Sequence, residues 1–191
     1  MIEKMILDAD ICVKLGGSEK YRFLYDILPL IAKQIYMHTH VYEEVLIPSS
    51  AVSQLRSLID EKVIVLVNEN GLQTMDRAVY DAAFTKLARV MIDPRRPNKN
   101  RGETSSLAYA KAAGIPVFAT DEMNLQPIID VQLNTGMDDI NCLRIIDVVQ
   151  MAHDGKIDIS RKTCKALWVI AGKEKALFDT EMWPIKTGEE D

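Results

Sequence analysis

Two acids stand directly behind short apolar runs. Met5-Ile6-Leu7 leads into Asp8, and Ile115-Pro116-Val117-Phe118-Ala119 leads into Thr120-Asp121-Glu122. Asp10 follows two residues after Asp8. Two further acids accompany helix-like segments: Glu44 in Val41-Tyr42-Glu43-Glu44-Val45, and Glu103 just behind Gly102. Carboxylates brought close together repel, and a divalent cation relieves the cost. Ligand sets made only of oxygen favour Mg²⁺ or Mn²⁺ over zinc. Such a centre can promote in-line hydrolysis of a phosphodiester. Taken singly, each acid has a plainer role. Asp8, Asp10 and Asp121 suit strand-end turns, Glu43 and Glu44 a solvated helix face, and Glu103 the positive end of a helix. Glu44, however, borders the apolar stripe of Val41 and Val45, and an acid pointing inward needs a partner.

The elements that must position these acids follow from periodicity. The runs ending in Asp8 and Asp121 read as buried strands, as does Val63-Ile64-Val65-Leu66-Val67, rich in β-branched residues. Leu143-Arg144-Ile145-Ile146 reads as a last strand, and Ile35-Tyr36-Met37 as a strand or a helix end. Ser18 is a suitable N-cap for a helix carrying Tyr21, Leu24, Tyr25 and Leu28, with Pro29 near its end. Thr39 caps a helix through Val41, Val45 and Leu46. Further helices carry Val52, Leu55, Leu58 and Ile59, then Met75, Val79, Ala82, Leu87 and Val90 up to Pro94. Another starts at Gly102 and ends before Gly114. Asp147 caps a helix to about His153, and Ser160 one through Leu167 and Ile170. Strands alternating with helices predict an α/β fold, a three-layer α/β/α sandwich around a mainly parallel sheet. Ligands of such sheets bind outside the carboxyl ends of the strands, the edge to which Asp8 and Asp121 are assigned.

The chain has 191 residues, 48% of them hydrophobic and 27% charged, which suits one full core. We expect a domain over residues 1–150 and a helical extension over residues 151–191 packed on it, with a frayed acidic end at Glu189, Glu190 and Asp191. No apolar stretch is long enough for a membrane span, and Glu3, Lys4 and Asp8 interrupt any signal-like run, so a cytoplasmic location is expected. Cys12, Cys142 and Cys164 form no CxxC pair and indicate neither a disulfide framework nor a thiolate zinc site. The net charge of −5 argues mildly against nucleic acid. Residues 93–101 are a local exception, with Arg95, Arg96, Lys99 and Arg101 against Asp93.

In order and spacing the acidic segments resemble the PIN-domain nuclease family. The matching pieces are Met5-Ile6-Leu7-Asp8-Ala9-Asp10, Val41-Tyr42-Glu43-Glu44-Val45, Gly102-Glu103-Thr104-Ser105-Ser106-Leu107-Ala108 and Val117-Phe118-Ala119-Thr120-Asp121-Glu122, within residues 4–150. The resemblance implies Mg²⁺- or Mn²⁺-dependent endonucleolytic cleavage, usually of single-stranded or structured RNA. It implies Asp8, Glu44, Glu103 and Asp121 as the four catalytic acids. Asp8 and Asp121 would be metal ligands, with Glu103 completing the site or orienting water. Asp10 falls where the family often has Asn or Ser. Thr120 would support the site by hydrogen bonding, and Glu122 would replace Asp121 if the turn is one residue longer. Residues 52–93 and the helices after Asp147 exceed the small toxin members of the family. No antitoxin-type partner can be inferred, and a homodimer is compatible with apolar residues on the long helices.

Arg95, Arg96, Lys99 and Arg101 run straight into Gly102-Glu103, where a phosphate backbone would need them. A solvated linker explains the same charges equally well. His38, His40 and His153 show no metal-ligand spacing and are read as surface or partly buried groups. Trp168 and Trp183 are read as packing the last segment down.

Two other readings stand beside the nuclease. Asp8-Ala9-Asp10 also resembles the start of a haloacid-dehalogenase-type phosphatase, with Asp8 as nucleophile and Asp10 as general acid. Cys12 stands where that family has Thr or Val, Ile11 where it has Gly, and the reading leaves Glu44 and Glu103 unemployed. The third is a module that binds RNA or protein without catalysis.

Overall fold

The computed structural model describes residues 1–184. The chain opens with strand β1 (Ile2–Leu7), helices α1 (Ala9–Gly16) and α2 (Phe23–Ile31), and strand β2 (Ala32–His38). Helices α3 (Thr39–Glu44) and α4 (Ser49–Asp60) lead to β3 (Ile64–Val67), followed by α5 (Thr74–Met91) and α6 (Arg101–Ala112). Then come β4 (Val117–Ala119), α7 (Leu125–Gln132), β5 (Asn141–Leu143), α8 (Ile145–His153) and α9 (Arg161–Ile170). All strand pairs are parallel, in the order β3-β2-β1-β4-β5.

The sheet is covered on both faces, as a parallel sheet of apolar strands requires. Met5 and Leu7 of β1 point into a core shared with α1, α2, α4, α8 and α9. Ile6, between them, points into the opposite core under α5, α6 and α7. The molecule is therefore a three-layer α/β/α sandwich. Ile157, Ile159, Leu167, Trp168, Phe178 and Met182 join the core that holds Met5 and Leu7, so the segment beyond α8 is packed onto the sheet domain. Among the described residues, no helix is long and apolar enough to cross a membrane.

The strand order locates the functional edge. The chain runs outward from β1 to β2 and β3, then returns to the other side of β1 as β4. That reversal opens a crevice at the carboxyl ends of β1 and β4, where sheets of this kind bind ligands. Leu7 pairs with Ala119 across it, and the Asp8 N–H donates to the Ala119 carbonyl at 2.9 Å.

Several local expectations shift. Ile145 and Ile146 are helical rather than strand, and the Asp147 carboxylate accepts from the Arg144 N–H at the start of α8, which fixes the helix entry there. Asp147 thus sits inside the helix and Arg144 is its N-cap. The Ser18 hydroxyl accepts from the Tyr21 N–H in a turn ahead of α2, so Tyr21 lies outside the helix, while Pro29 lies inside it. α3 stops at Glu44, before Val45 and Leu46, and α5 at Met91, before Pro94. Ser160 caps α9 by accepting from the Thr163 N–H.

α1 meets α4 at unusually close range. A Cβ on Gly16 would lie 2.5 Å from the Ala51 Cβ and 2.6 Å from its Cα. Backbone cannot yield as a long side chain can, so Gly16→Ala should push the helices apart. We expect a loss of about 2 kcal/mol, read as a lower denaturation midpoint at unchanged slope.

Candidate active site

Asp8 leaves the end of β1 into the crevice and is only 6% exposed. Thr120, one residue past β4, is fully buried beside it. Its hydroxyl lies 3.3 Å from Asp8 Oδ2 and 3.2 Å from Asp10 Oδ1. Asp10, on the first turn of α1, uses its other oxygen to accept from the Asp121 N–H at 2.9 Å. The Glu122 N–H donates to Thr120 Oγ1 at 3.3 Å. The turn after β4 is thereby tied to the start of α1, and Thr120 takes the supporting position expected of it.

Glu103 enters from the opposite layer. It occupies the first turn of α6 and is 8% exposed. Its Oε1 is buried and, among the described residues, has no hydrogen-bond partner. Burial first, then the negative charges of Asp8, Glu122, Asp10 and Glu44, push its carboxyl up to about 9. Asp8 is raised to about 8, chiefly by burial and next by the charge of Asp10. The Cys12 thiol beneath them is also raised, by burial and then by Asp8 and Asp10. At neutral pH Asp8 and Glu103 therefore keep their protons, because the pocket's own groups do not stabilise their charges.

Glu44 closes the group from α3. Its Oε1 accepts from the Gly102 N–H at 3.1 Å, which satisfies one of the unpaired donors at the start of α6. Burial raises its carboxyl, and the Gly102 bond opposes that shift. Glu44 and neighbouring Glu43 are both exposed, so what separates them is the Gly102 bond rather than burial. The contact also explains Gly102, where an added Cβ would lie 2.6 Å from Glu44 Oε1 and 2.8 Å from both Cδ and Oε2. Gly102→Ala should displace the flexible Glu44 side chain while leaving the helix intact. We expect stability to change by less than about 1 kcal/mol and any cleavage that depends on Glu44 to fall about tenfold or more.

Asp121 is differently employed. Lys14 Nζ lies 2.6 Å from its Oδ2, and the Ile145 N–H donates to Oδ1 at 3.3 Å. Both oxygens are therefore engaged. Glu122, the alternative open in the sequence, adds its charge to the field at Glu103, while Asp121 ties α1 and α8 to the end of β4. Lys14 lacked any signal in the sequence. Its place follows from α1, a short helix on which residues 10 and 14 share a face.

Arg95, Arg96, Lys99 and Arg101 are all exposed. Arg95, Arg96 and Lys99 lie on the connection between α5 and α6, and Arg101 is the first residue of α6, one position before the Gly102 that holds Glu44. Asn100, with φ 60°, ties the connection back by donating to the Met91 carbonyl at 3.0 Å.

His38 departs from expectation, being fully buried at the end of β2 with its ring stacked on His40 at 5.3 Å. Burial lowers it to about 4, so it stays neutral at physiological pH. Trp168 is buried and Trp183 is partly buried against the same core, as packing residues. Cys12 and Cys164 are buried, Cys142 partly so, and all three are free.

No family model, curated protein or solved structure matches this chain. The functional reading therefore rests on the site itself. Among the described residues, no three His, Cys, Asp or Glu side chains stand close enough together to hold a metal ion as they are. Asp8, Asp10, Glu103 and Glu122 share an electrostatic field rather than a common point. The donor set still fits a hard divalent cation. Ionised carboxylates offer only acceptors, Glu103 Oε1 is left without a donor, and the ammonium that is present, Lys14, is committed to Asp121.

Proposed function

We propose that the chain is a PIN-like, metal-dependent endonuclease that hydrolyses phosphodiester bonds, with RNA as its substrate and Mg²⁺ or Mn²⁺ as its cofactor. The observation that carries this reading is the buried, partnerless Glu103 Oε1 facing the charges of Asp8, Asp10 and Glu122 at the crevice between β1 and β4. Isolated buried carboxylates cost several kcal/mol when ionised, a cost that recurs here at more than one acid. A site that binds a divalent cation offsets it.

Asp8 and Glu103 are the principal ligands in this reading, with Asp10 and Glu122 completing the set. Asp121 serves as an anchor. The bound cation would supply Lewis-acid stabilisation of the charge that builds on the phosphoryl oxygens. Thr120 orients the Asp8 and Asp10 carboxylates. Glu44 Oε1 is held by Gly102 N–H, which leaves Oε2 to accept a proton from the attacking water. Arg95, Arg96, Lys99 and Arg101 attract and position the phosphate backbone. A cytoplasmic location belongs to the same reading. The phosphatase reading gains nothing from the geometry, because both Asp10 oxygens are engaged and poorly placed to donate a proton.

The test is incubation with labelled single-stranded RNA, hairpin RNA and single-stranded DNA in Mn²⁺, Mg²⁺ or EDTA. Metal-dependent RNA cleavage that disappears in Asp8→Asn is the expected outcome. Transfer of phosphate from small esters through Asp8 would favour the phosphatase instead, and metal binding without cleavage the non-catalytic module.

A further inference from the structure

At the other end of α1 from Asp10, a cavity of about 470 Å³ lies between the turn after α1 and helix α9. A second hollow of about 250 Å³ shares its Tyr21, Phe23, Lys162 and Ala166 walls. Its lining is mostly apolar and includes Phe23, Ala166 and Ile170. The exposed ring of Tyr21 stacks on Phe23 with centroids 4.9 Å apart and planes 7° from parallel. Lys162, Lys165 and Lys175 stand around the rim. The volume is that of a small-molecule site.

One of the three lysines is held by an ion pair. Asp179 pairs with Lys165 and Arg161. Among the described residues, Lys162 and Lys175 have no carboxylate partner. Lys162 also stands in the first turn of α9, where the helix dipole disfavours a cation. In a chain of net charge −5, a rim of lysines around a mostly apolar lining is a local reversal of sign. Lys20 Nζ lies 5.3 Å from the Tyr21 ring centroid. An exposed cation–π contact is worth about 0.5–1 kcal/mol, whereas a base stacked on an aromatic ring contributes about 1–3 kcal/mol.

We propose that this cavity is a second nucleic-acid subsite, which stacks an unpaired base of single-stranded RNA on Tyr21 and holds the adjoining phosphates with Lys162 and Lys175. The inference rests on the nuclease reading and extends it from the cleavage site to the flank of the substrate. α1 connects the two places. Asp10 lies in its first turn, Lys14 one turn on, and Ser18, just past its end, lines the cavity. The helix has 8 residues and is about 12 Å long, so one short strand can reach both. The subsite gives the enzyme a reason to prefer unpaired RNA: a paired base cannot leave its stack to enter the cavity without a cost.

The experiment is fluorescence anisotropy with a labelled ten-nucleotide uridine RNA in EDTA across a salt series, using the full chain. Lys162→Ala/Lys175→Ala should weaken binding about tenfold and flatten the slope of log affinity against log salt by about 1–2. Tyr21→Ala should weaken it about tenfold with the slope unchanged. Lys86→Ala, on the opposite layer, should bind as the parent does, and unchanged thermal transitions in all variants exclude loss of fold. Parent-like binding by both cavity variants overturns the subsite. Cleavage in Mn²⁺ is read separately. Retained cleavage with parent-like binding removes only the subsite. Cavity-dependent binding without cleavage in any metal removes the nuclease reading and leaves the subsite standing.

Discussion

Glu103→Gln should abolish metal-dependent cleavage while making the metal-free protein more stable at neutral pH. The substitution keeps the shape of the side chain and removes a group whose charge the unfolded chain carries freely at neutral pH but the folded pocket does not support, so that it stays protonated. Glu103 Oε1 has no partner among the described residues, and burial with four neighbouring acids pushes the carboxyl up to about 9. Once a cation is bound that same charge becomes the reason for its affinity, so the rate should fall on the order of 10³-fold or more. Single-turnover cleavage and chemical denaturation in EDTA check the two halves. A destabilised variant, or one that retains cleavage, would mean that Glu103 is an ordinary helix-terminal acid.

The second large effect is a pH dependence whose sign reverses with metal. The folded-state values of Asp8 and Glu103 are raised above their ordinary ones, to about 8 and about 9. Groups shifted upward hold protons in the folded state that the unfolded chain has released. Their stabilisation is full below the unfolded values near 4 and is lost as pH climbs through the folded values. In EDTA the protein should therefore be more stable at pH 5 than at pH 8. Glu103 alone contributes roughly 3 kcal/mol of this difference between pH 4.5 and 7. With Mn²⁺ the order inverts, because only the ionised carboxylates bind the cation and binding to the folded state stabilises it. Thermal transitions at both pH values, with and without Mn²⁺, measure it. A rise in EDTA stability from pH 5 to pH 8 would show that the raised groups do not govern the balance.

How far the sequence disclosed this arrangement depends on the range of each interaction. Strands β1 and β4 are legible because a parallel strand buried on both faces must be a run of apolar residues, and β3, an edge strand with Val65 exposed, because its run is rich in β-branched residues. Asp8 and Thr120 are legible with them, since the end of such a run marks the functional edge. β2 is ambiguous because Lys33 and Gln34 are exposed at its start. β5 is misplaced because Ile145 and Ile146 favour strand by type, while the Asp147 bond to the Arg144 N–H fixes a helix entry there. α1 is short, and its first turn holds an acid of the site. α7, from Leu125 to Gln132, contains a proline and little apolar periodicity. The division of labour between Asp121 and Glu122 is not local at all. It depends on Lys14, 107 positions from Asp121, and only the folded chain brings the two together.

The central claim is that the buried acids at the β1–β4 crevice form a divalent-cation site. Titration calorimetry with Mn²⁺ at pH 7.5, comparing the parent with Asp8→Asn and Glu103→Gln, tests it without requiring the correct nucleic acid. Saturable binding with proton release by the parent, lost in both variants and kept in Asp121→Asn, is the predicted result. Absence of saturable binding, or binding that survives both Asp8→Asn and Glu103→Gln, would contradict it.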